Sequence, residues 1–173
     1  VVGSVITFSN ELVVFSDWST WLSLDFDPVV ANQFVLAGRD SNGGYAIVGN
    51  VSNDGTHVVF GSKVIFVTPM DQYISLSFDP STSGSFIIAY QDKTTVSSGH
   101  TKAAAIAGTV SGNTITMGTA VTLDTSGFGY QVNVAFDPNT AGRFVASWYD
   151  QGSSGYGTAR VGIVSGTSIT LGT

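Results

Sequence analysis

Cysteine is absent from this chain, which excludes disulfides, thiol catalysis and zinc sites built from cysteine. Only six residues are Lys or Arg, against twelve Asp or Glu, and the formal net charge is −6. Binding to a nucleic-acid duplex needs several basic groups placed on phosphates, and the sequence shows no basic cluster. No apolar run approaches the roughly 18 residues of a membrane-spanning helix. These deficits argue against a thiol enzyme, a nucleic-acid-binding protein and a helical membrane protein.

What the chain does contain is typical of a β protein with many tight turns. Charged residues make up 10% of the sequence, whereas 21 residues are Gly and 43% are apolar. Apolar residues in regular alternation can bury enough surface to offset chain entropy, which argues against a disordered chain. The length of 173 residues suffices for one domain with a sizeable core. The chain begins at Val1 without an initiator Met or a signal-peptide pattern, which we interpret as a processed or excised piece.

The tripeptide Phe-Asp-Pro occurs three times, beginning at Phe26, Phe78 and Phe136. An alternating segment precedes each copy and predicts a strand that ends at the tripeptide. The Asp and Pro predict a turn, since Asp bonds to backbone amides ahead of it and Pro presets φ. After each turn an apolar segment closes on Asp and predicts a second strand: Gln33–Asp40, Ser85–Asp92 and Arg143–Asp150.

Two further strands complete each repeat. In the last repeat a third strand runs from about Thr158 to Val164, and a fourth begins at Ser168. The fourth strands align with an additional copy of the same pattern at Val5–Phe8. We therefore divide the chain into repeats of approximately 20–67, 72–123 and 130–173, with 1–15 as a partial fourth-strand segment.

The predicted fold is all-β, with three four-stranded antiparallel repeats that resemble β-propeller blades. Three blades do not close the usual ring of four to eight, so either two chains supply six blades or the natural chain is longer. Redundant strand segments at both ends favour self-association through strand pairing, since an unpaired sheet edge invites a partner. The alternative is a single chain with internal three-fold symmetry, either a β-trefoil or a β-prism.

The repeat also resembles one found in long repetitive proteins of bacteria and of marine bacteriophages. There an alternating strand is followed by Phe-Asp-Pro-Asn-Thr-Ala, an apolar strand ending near Tyr-x-Asp, and Gly-Thr-Ala-x-Val-Gly-x-Val-Ser-Gly-Thr-Ser-Ile. Phe136–Ala141, Tyr149 and Gly157–Ile169 follow this pattern closely, whereas the repeat at Phe26 has Val29-Val30-Ala31 in place of Asn-Thr-Ala. The resemblance covers nearly the whole chain. It implies a virion tail or cell-surface protein, and it brings no catalytic motif.

A fainter resemblance is to sialidase-type propellers, whose blades also contain a second strand closing on Asp. Their Asp-box, Ser-x-Asp-x-Gly-x-x-Trp, is missing near Ser165–Thr170. The cluster of three arginines that holds a sialic acid carboxylate is missing as well, because Arg39, Arg143 and Arg160 fall at different points of the repeat. Sialidase activity is therefore not implied.

Candidate ligand-binding residues lie in the segments where the repeats differ. The loops between second and third strands and the connections between blades share one edge of the predicted sheets. Aromatic side chains there are costly to solvate unless they pack or bind something, and an aromatic face beside Asp or Asn suits a sugar. Trp21, Tyr73 and Tyr130 occupy matching places and have a competing interpretation as caps of the blade junctions, whereas Trp18 and Phe128 match nothing fixed. The candidate glycan-binding residues are Trp18, Trp21, Asp40, Tyr45, Tyr73, Asp92, His100, Phe128, Tyr130, Asp150 and Tyr156.

The recurring acids have both a ligand and a structural interpretation. Asp40, Asp92 and Asp150 would serve as calcium or sugar ligands, or as turn-forming residues at strand ends. Asp25 is a weaker candidate, since an acid on an innermost strand would line a central channel. We predict no metal site, no cofactor and no catalytic residues, because neither His residue belongs to a metal pattern and Glu11 is the single Glu.

Three functions remain open at this point. The first is a non-enzymatic, lectin-like module that binds a cell-surface glycan or receptor, as part of a phage tail fibre or a bacterial surface adhesin. Its location would be extracellular or on the virion surface. The second is a purely structural repeat that builds a fibre or an oligomeric assembly. The third is a fragment of a propeller related to glycoside hydrolases.

Overall fold

The computed structural model describes residues 11–93, 101–124 and 128–172, which form an all-β fold of three antiparallel sheets. Blade 1 contains β1 (Thr20–Phe26), β2 (Gln33–Asp40), β3 (Gly43–Val51), β4 (Val58–Phe60) and β5 (Val64–Val67). Blade 2 contains β6 (Met70–Phe78), β7 (Ser85–Asp92), β8 (Lys102–Ser111), β9 (Thr114–Met117) and β10 (Val121–Thr122). Blade 3 contains β11 (Gly129–Phe136), β12 (Arg143–Asp150), β13 (Tyr156–Ser165) and β14 (Ser168–Leu171). A helix that would cross a membrane does not occur within these ranges. The predicted segment Val5–Phe8 lies outside the described residues.

Within each blade the strands follow one another in chain order from the first to the fourth. The fourth strand of blades 1 and 2 is divided into two pieces that pair with the same third strand. Gly61 and Gly118 stand at the divisions, and their N–H groups donate to Val48 O and Ala107 O. The predicted unit of four antiparallel strands is therefore present three times, and its outer strand is interrupted in blades 1 and 2.

The blades stack in sequence. The first strands β1, β6 and β11 pack side by side, so that blade 1 contacts blade 2 and blade 2 contacts blade 3. Among the strands described here, no extensive packing joins blade 1 to blade 3. A β-trefoil or β-prism would bring every pair of repeats together around a common axis. The observed stacking is that of blades rather than of a closed three-fold unit.

Each blade has two different faces. On the face that packs on the following blade, which we call the leading face, the side chains are mostly small, such as Ala37 and Ala46 in blade 1. The opposite, trailing face carries large side chains, such as Phe86 and Tyr90 in blade 2, which are fully buried against the blade before. The second junction repeats this pairing of small with large side chains.

A phenylalanine covers a glycine inside every blade. A Cβ on Gly108 would lie 2.3 Å from the ring of Phe86, its partner on the neighbouring strand. Phe34 with Gly49 and Phe144 with Gly162 repeat this contact. The recurring glycine of the third strand thus makes room for a ring of its own blade, which fixes two adjacent strands together.

The Asp-Pro turns also connect the blades. Asp79 uses Oδ1 to accept a hydrogen bond from Ser81 N (2.9 Å), which forms the predicted turn. Its Oδ2 accepts a hydrogen bond from Gly142 N of blade 3 (2.8 Å). Asp27 does the same with Gly84 N of blade 2 (2.7 Å). We call the hydrogen bond between the glycine N–H of one blade and the Asp Oδ2 of the blade before it the Asp latch.

The first strands add a second set of connections. Asp25 Oδ2 and Ser23 Oγ of blade 1 accept hydrogen bonds from Phe78 N (2.9 Å) and Leu76 N (3.0 Å) of blade 2. Ser75 and Ser77 do the same for blade 3. The expectation that Asp25 is a channel-lining ligand is therefore wrong, because its carboxylate is engaged in holding the next blade.

Candidate functional site

One edge of the blades gathers the predicted loops. The start of β1 lies beside the end of β2, Asp40 pairs with Gly43 at the start of β3, and Gly44 lies opposite Val67 at the end of β5. The equivalent strand ends of blades 2 and 3 follow the same arrangement. We call this the aromatic edge; the Asp-Pro turns lie at the opposite edge.

Trp18 is the most exposed tryptophan described at this edge. Its side chain is 60% exposed, and the guanidinium carbon of Arg39 lies 5.7 Å from the ring centroid. A cation at this distance over an indole ring is favourable and restricts the orientation of the ring. Asp17, which precedes Trp18 in the chain, is exposed, whereas the hydroxyl of Ser19 on the other side is paired with that of Tyr45.

Trp21 and Tyr73 meet across the junction of blades 1 and 2. Their ring centroids are 4.7 Å apart, and Trp21 keeps 38% of its surface exposed. Both residues have positive φ, 55° and 49°, at an irregularity of the first strand. In blade 3 the equivalent residue is Gln131, with φ of 52°, so Tyr130 lies one residue before the matching place. The alignment of Tyr130 with Trp21 and Tyr73 was wrong by that one residue, because Gln131, and not Tyr130, stands at the same distance before the Phe of its repeat.

Tyr45 does not belong to an exposed loop. The turn between β2 and β3 contains only residues 41 and 42, and Tyr45 is 1% exposed within β3. Its hydroxyl lies 2.6 Å from Ser19 Oγ, and its ring fills the space above Gly38, where a Cβ would lie 2.6 Å from that hydroxyl. Tyr45 is therefore a core residue and is inaccessible to a ligand.

The three recurring acids are all buried, and Asp40 and Asp150 accept hydrogen bonds within their turns. Asp40 Oδ1 accepts from Asn42 N (2.7 Å), and its Oδ2 accepts from Lys63 Nζ (2.6 Å). Burial alone would raise the pKa of Asp40, but the hydrogen bonds from Lys63 and Asn42 lower it below its usual value. Asp150 Oδ1 accepts from Ser153 N (3.1 Å) and caps a short 3₁₀ turn.

Asp92 is likewise buried, and its charge reinforces the effect of burial in raising the pKa of Tyr90. In the described part of the chain, no three residues among His, Cys, Asp and Glu are grouped so that they would hold a metal ion.

The remaining candidates are dispersed. Tyr156 is 68% exposed at the start of β13. Phe128 is half-buried, and its N–H donates to Asp124 Oδ2 (2.9 Å). Tyr130 packs near Tyr149, with ring centroids 6.3 Å apart. His100 lies outside the described residues.

A cleft of about 540 Å³ beside blades 2 and 3 was not predicted from the sequence. Asp124, Trp148, Asp150 and Arg160 line it. The Arg160 guanidinium is already engaged, donating to Leu123 O (3.1 Å) and Gly172 O (3.3 Å), whereas Trp148 Nε1 is buried without a hydrogen-bond partner among the described residues. The sequence contains one signal of this cleft. Arg160 of β13 stands where β3 and β8 each have a buried isoleucine.

No protein-family model matches this chain, and a comparison with curated proteins finds no match. Function is therefore inferred from the side chains at the aromatic edge.

Proposed function

We propose that this protein is a non-enzymatic module that binds a glycan through the aromatic edge of blade 1. The observation that carries the proposal is the exposure of two tryptophans on this edge, Trp18 at 60% and Trp21 at 38%. Exposed indole surface is unfavourable in water, and the apolar C–H face of a hexose ring is a suitable partner for it.

Trp18 has the surroundings that a sugar platform requires. Arg39 lies beside its ring, which favours one orientation of the indole before a ligand arrives. The exposed carboxylate of Asp17 precedes it in the chain as a group able to bond to sugar hydroxyls. The chain carries a net charge of −6, which disfavours an acidic polysaccharide and favours a neutral glycan.

The resemblance of the repeat to phage and bacterial surface proteins indicates the kind of protein to which this module would belong. We propose that it belongs to a phage tail fibre or a bacterial adhesin, exposed outside the cell or on the virion. A receptor glycan on a cell surface would then be its partner.

A glycan array with the wild-type protein and Trp18→Ala tests the proposal. We expect the wild type to bind a neutral glycan saturably, and the substitution to lower the affinity at least about tenfold, equivalent to about 1.4 kcal/mol. The matched control is Tyr156→Ala, which removes an aromatic side chain of similar exposure from blade 3 and should leave binding unchanged. Both variants should unfold as the wild type does, since exposed side chains away from the core contribute little to stability.

Loss of binding in both variants would contradict a site on blade 1. Quenching or a spectral shift of tryptophan fluorescence on titration, absent in Trp18→Ala, would provide an independent measurement.

A purely structural role is the second candidate, favoured by one observation. The trailing face of blade 1 and the leading face of blade 3 both expose large apolar side chains, including Phe26 at 50% and Ile163 at 54%. An array without any saturable binding would favour this role. Nothing in the part of the chain that the structure describes favours a glycoside hydrolase, and release of free sugar from a bound glycan would be the result that revives it.

A further inference from the structure

The outer side of β13 is only partly paired. In blades 1 and 2 the third strand has partners along both halves, β4 and β5 for β3, and β9 and β10 for β8. β13 pairs with β14 only from Gly162 to Ser165, and Gly172 N donates to Val161 O. Among the described residues, no outer strand lies beside Tyr156–Arg160. An unpaired half-strand of this kind accepts a strand from elsewhere.

Residues 11–15 have the character of the second half of a fourth strand. Val14 precedes Phe26 by the same interval at which Phe66 of β5 precedes Phe78. Val14 and Phe15 pack on the trailing face of blade 1, as Phe66 packs on that of blade 2. The ring contacts are also alike: Phe15 meets Tyr45 edge-on at 5.2 Å, and Phe66 meets Tyr90 edge-on at 5.3 Å.

In this structure, however, residues 11–15 form no strand, and Val13 is 78% exposed. The segment is therefore placed like the outer half-strand of a preceding blade, although no third strand lies beside it among the described residues.

The two outermost faces complement each other in the same way as the faces already joined. Val145 and Val161 on the leading face of blade 3 are 46% and 48% exposed, whereas the equivalent Val35 and Val48 of blade 1 are fully buried. On the trailing face of blade 1, Leu24 and Phe26 are each 50% exposed. Their equivalents in blades 2 and 3 are all buried: Leu76, Phe78, Val134 and Phe136.

The polar groups of these two faces also match the donors and acceptors of the existing junctions. In the existing latches the donor is the N–H of a glycine with φ of 71°, Gly84 or Gly142. Asn32 stands at the equivalent place in blade 1 and has the same left-handed conformation, with φ of 65°. Asp137, in the last of the three blades described, instead holds its own Arg143 through Oδ2. The acceptor and the donor of one further latch thus lie on the two open faces.

We propose that the leading face of blade 3 docks on the trailing face of blade 1 of a second copy of this chain. Residues 11–15 of the second copy pair with the open edge of β13, and Asp137 accepts a hydrogen bond from Asn32 N of that copy. Two such junctions related by a two-fold axis join two copies into a ring of six blades. One hydrogen bond is missing at each new junction, since Ala135 replaces the acceptor found at Asp25 and Ser77.

The existing blades give the register of the added strand. Ile65 pairs with Tyr45 in blade 1, and Thr122 pairs with Ala104 in blade 2. Within residues 11–15, Val13 is the residue equivalent to Ile65. Within β13, Thr158 is the residue equivalent to Tyr45 and Ala104, so Val13 of one copy should lie opposite Thr158 of the other. Residues directly opposite on antiparallel strands have Cα atoms roughly 4.5–5.5 Å apart, which suits a disulfide.

Engineered cysteines test this arrangement directly, because the natural chain contains none. The variant Val13→Cys/Thr158→Cys should form a dimer with two intermolecular disulfides under mild oxidation, seen at twice the 18.0 kDa chain mass on a non-reducing gel. The control Val59→Cys/Thr158→Cys uses a valine of blade 1 that is also exposed, at 59%, and should remain monomeric on the gel. Uncross-linked species, an intramolecular disulfide or a ladder of larger species in the Val13 variant would each overturn the two-copy ring.

A second measurement does not depend on cysteine chemistry. Light scattering over a range of concentrations should give a dimer mass for the wild type and for Val59→Asp. Val161→Asp places a carboxylate in the proposed junction and should shift the dimer to monomer without unfolding it, since Val161 is 48% exposed in the single chain. A wild type that is monomeric at every concentration, or a Val161→Asp protein that remains dimeric, would overturn the proposal.

Discussion

Replacing Asp79 with alanine removes two kinds of hydrogen bond at once. Asp79 is 1% exposed and accepts from Ser81 N in its own turn and from Gly142 N of the next blade. Loss of the turn bond costs about 1 kcal/mol, and a buried N–H left without an acceptor at Gly142 costs about 2 kcal/mol more. The free energy of unfolding should therefore fall by about 3 kcal/mol.

Asp137→Ala is the matched comparison within the same chain. Asp137 also begins an Asp-Pro turn, with Oδ1 accepting from Asn139 N (2.8 Å), but its Oδ2 contacts an exposed Arg143 side chain. Removing it leaves no buried N–H unsatisfied in the single chain. The two variants should therefore differ by about 2 kcal/mol, the cost of the unsatisfied group at Gly142.

Equilibrium unfolding in urea, with thermal melting as a second probe, measures this difference. For a chain of this size, 2 kcal/mol corresponds to a difference of roughly 4–8 °C in Tm. The samples must be dilute enough to be monomeric, because in the proposed dimer Asp137 gains a latch of its own. Equal destabilisation by the two substitutions would refute the inference that Asp79 connects blades 2 and 3.

Two further outcomes follow from the contacts at either edge of the blades. The pKa of Asp40 is lowered from 3.8 in the folded chain, so its ionised form stabilises the fold above about pH 4 and that contribution is lost as the pH falls. The difference in unfolding free energy between the wild type and Asp40→Asn should therefore be larger at pH 7 than at pH 3, and the same difference at both would contradict a stabilising pairing with Lys63. Gly118→Ala would place a Cβ 1.8 Å from Thr167 O and should lower stability by about 1–3 kcal/mol. Gly157→Ala, which meets nothing within 4 Å, is its control in urea unfolding, and similar effects of the two would show that blades 2 and 3 are not packed so closely there.

The strand pattern was predictable because it is local. Alternation before each Phe-Asp-Pro and the turn chemistry of Asp and Pro lie within a few residues of one another, and together they define three antiparallel units. The interrupted fourth strand was less accessible, since its division at Gly61 depends on the close approach of Asn113 O from the next blade.

The site was harder to predict, because contacts between distant residues decide exposure. Tyr45 belongs to the same kind of segment as Trp18, but Gly38 on the neighbouring strand leaves space for its ring, and Tyr45 is buried. Trp18 lies beside Arg39 instead and remains on the surface. Asp79 shows the same limit. The role of its Oδ1 in the turn follows from adjacent residues, whereas the hydrogen-bond partner of its Oδ2 lies in another repeat.

The Asp latches and the bonds between the first strands take acceptors from side chains of one blade and donors from the backbone of the next. Backbone N–H groups are present whatever the side-chain sequence, so a blade needs only a suitable acceptor set to receive any successor. A gene duplication that inserts one more repeat would find its attachment points already formed, and neighbouring repeats are free to diverge in the loops of the aromatic edge. Such a chain can evolve new surfaces one blade at a time while the order of its blades is preserved.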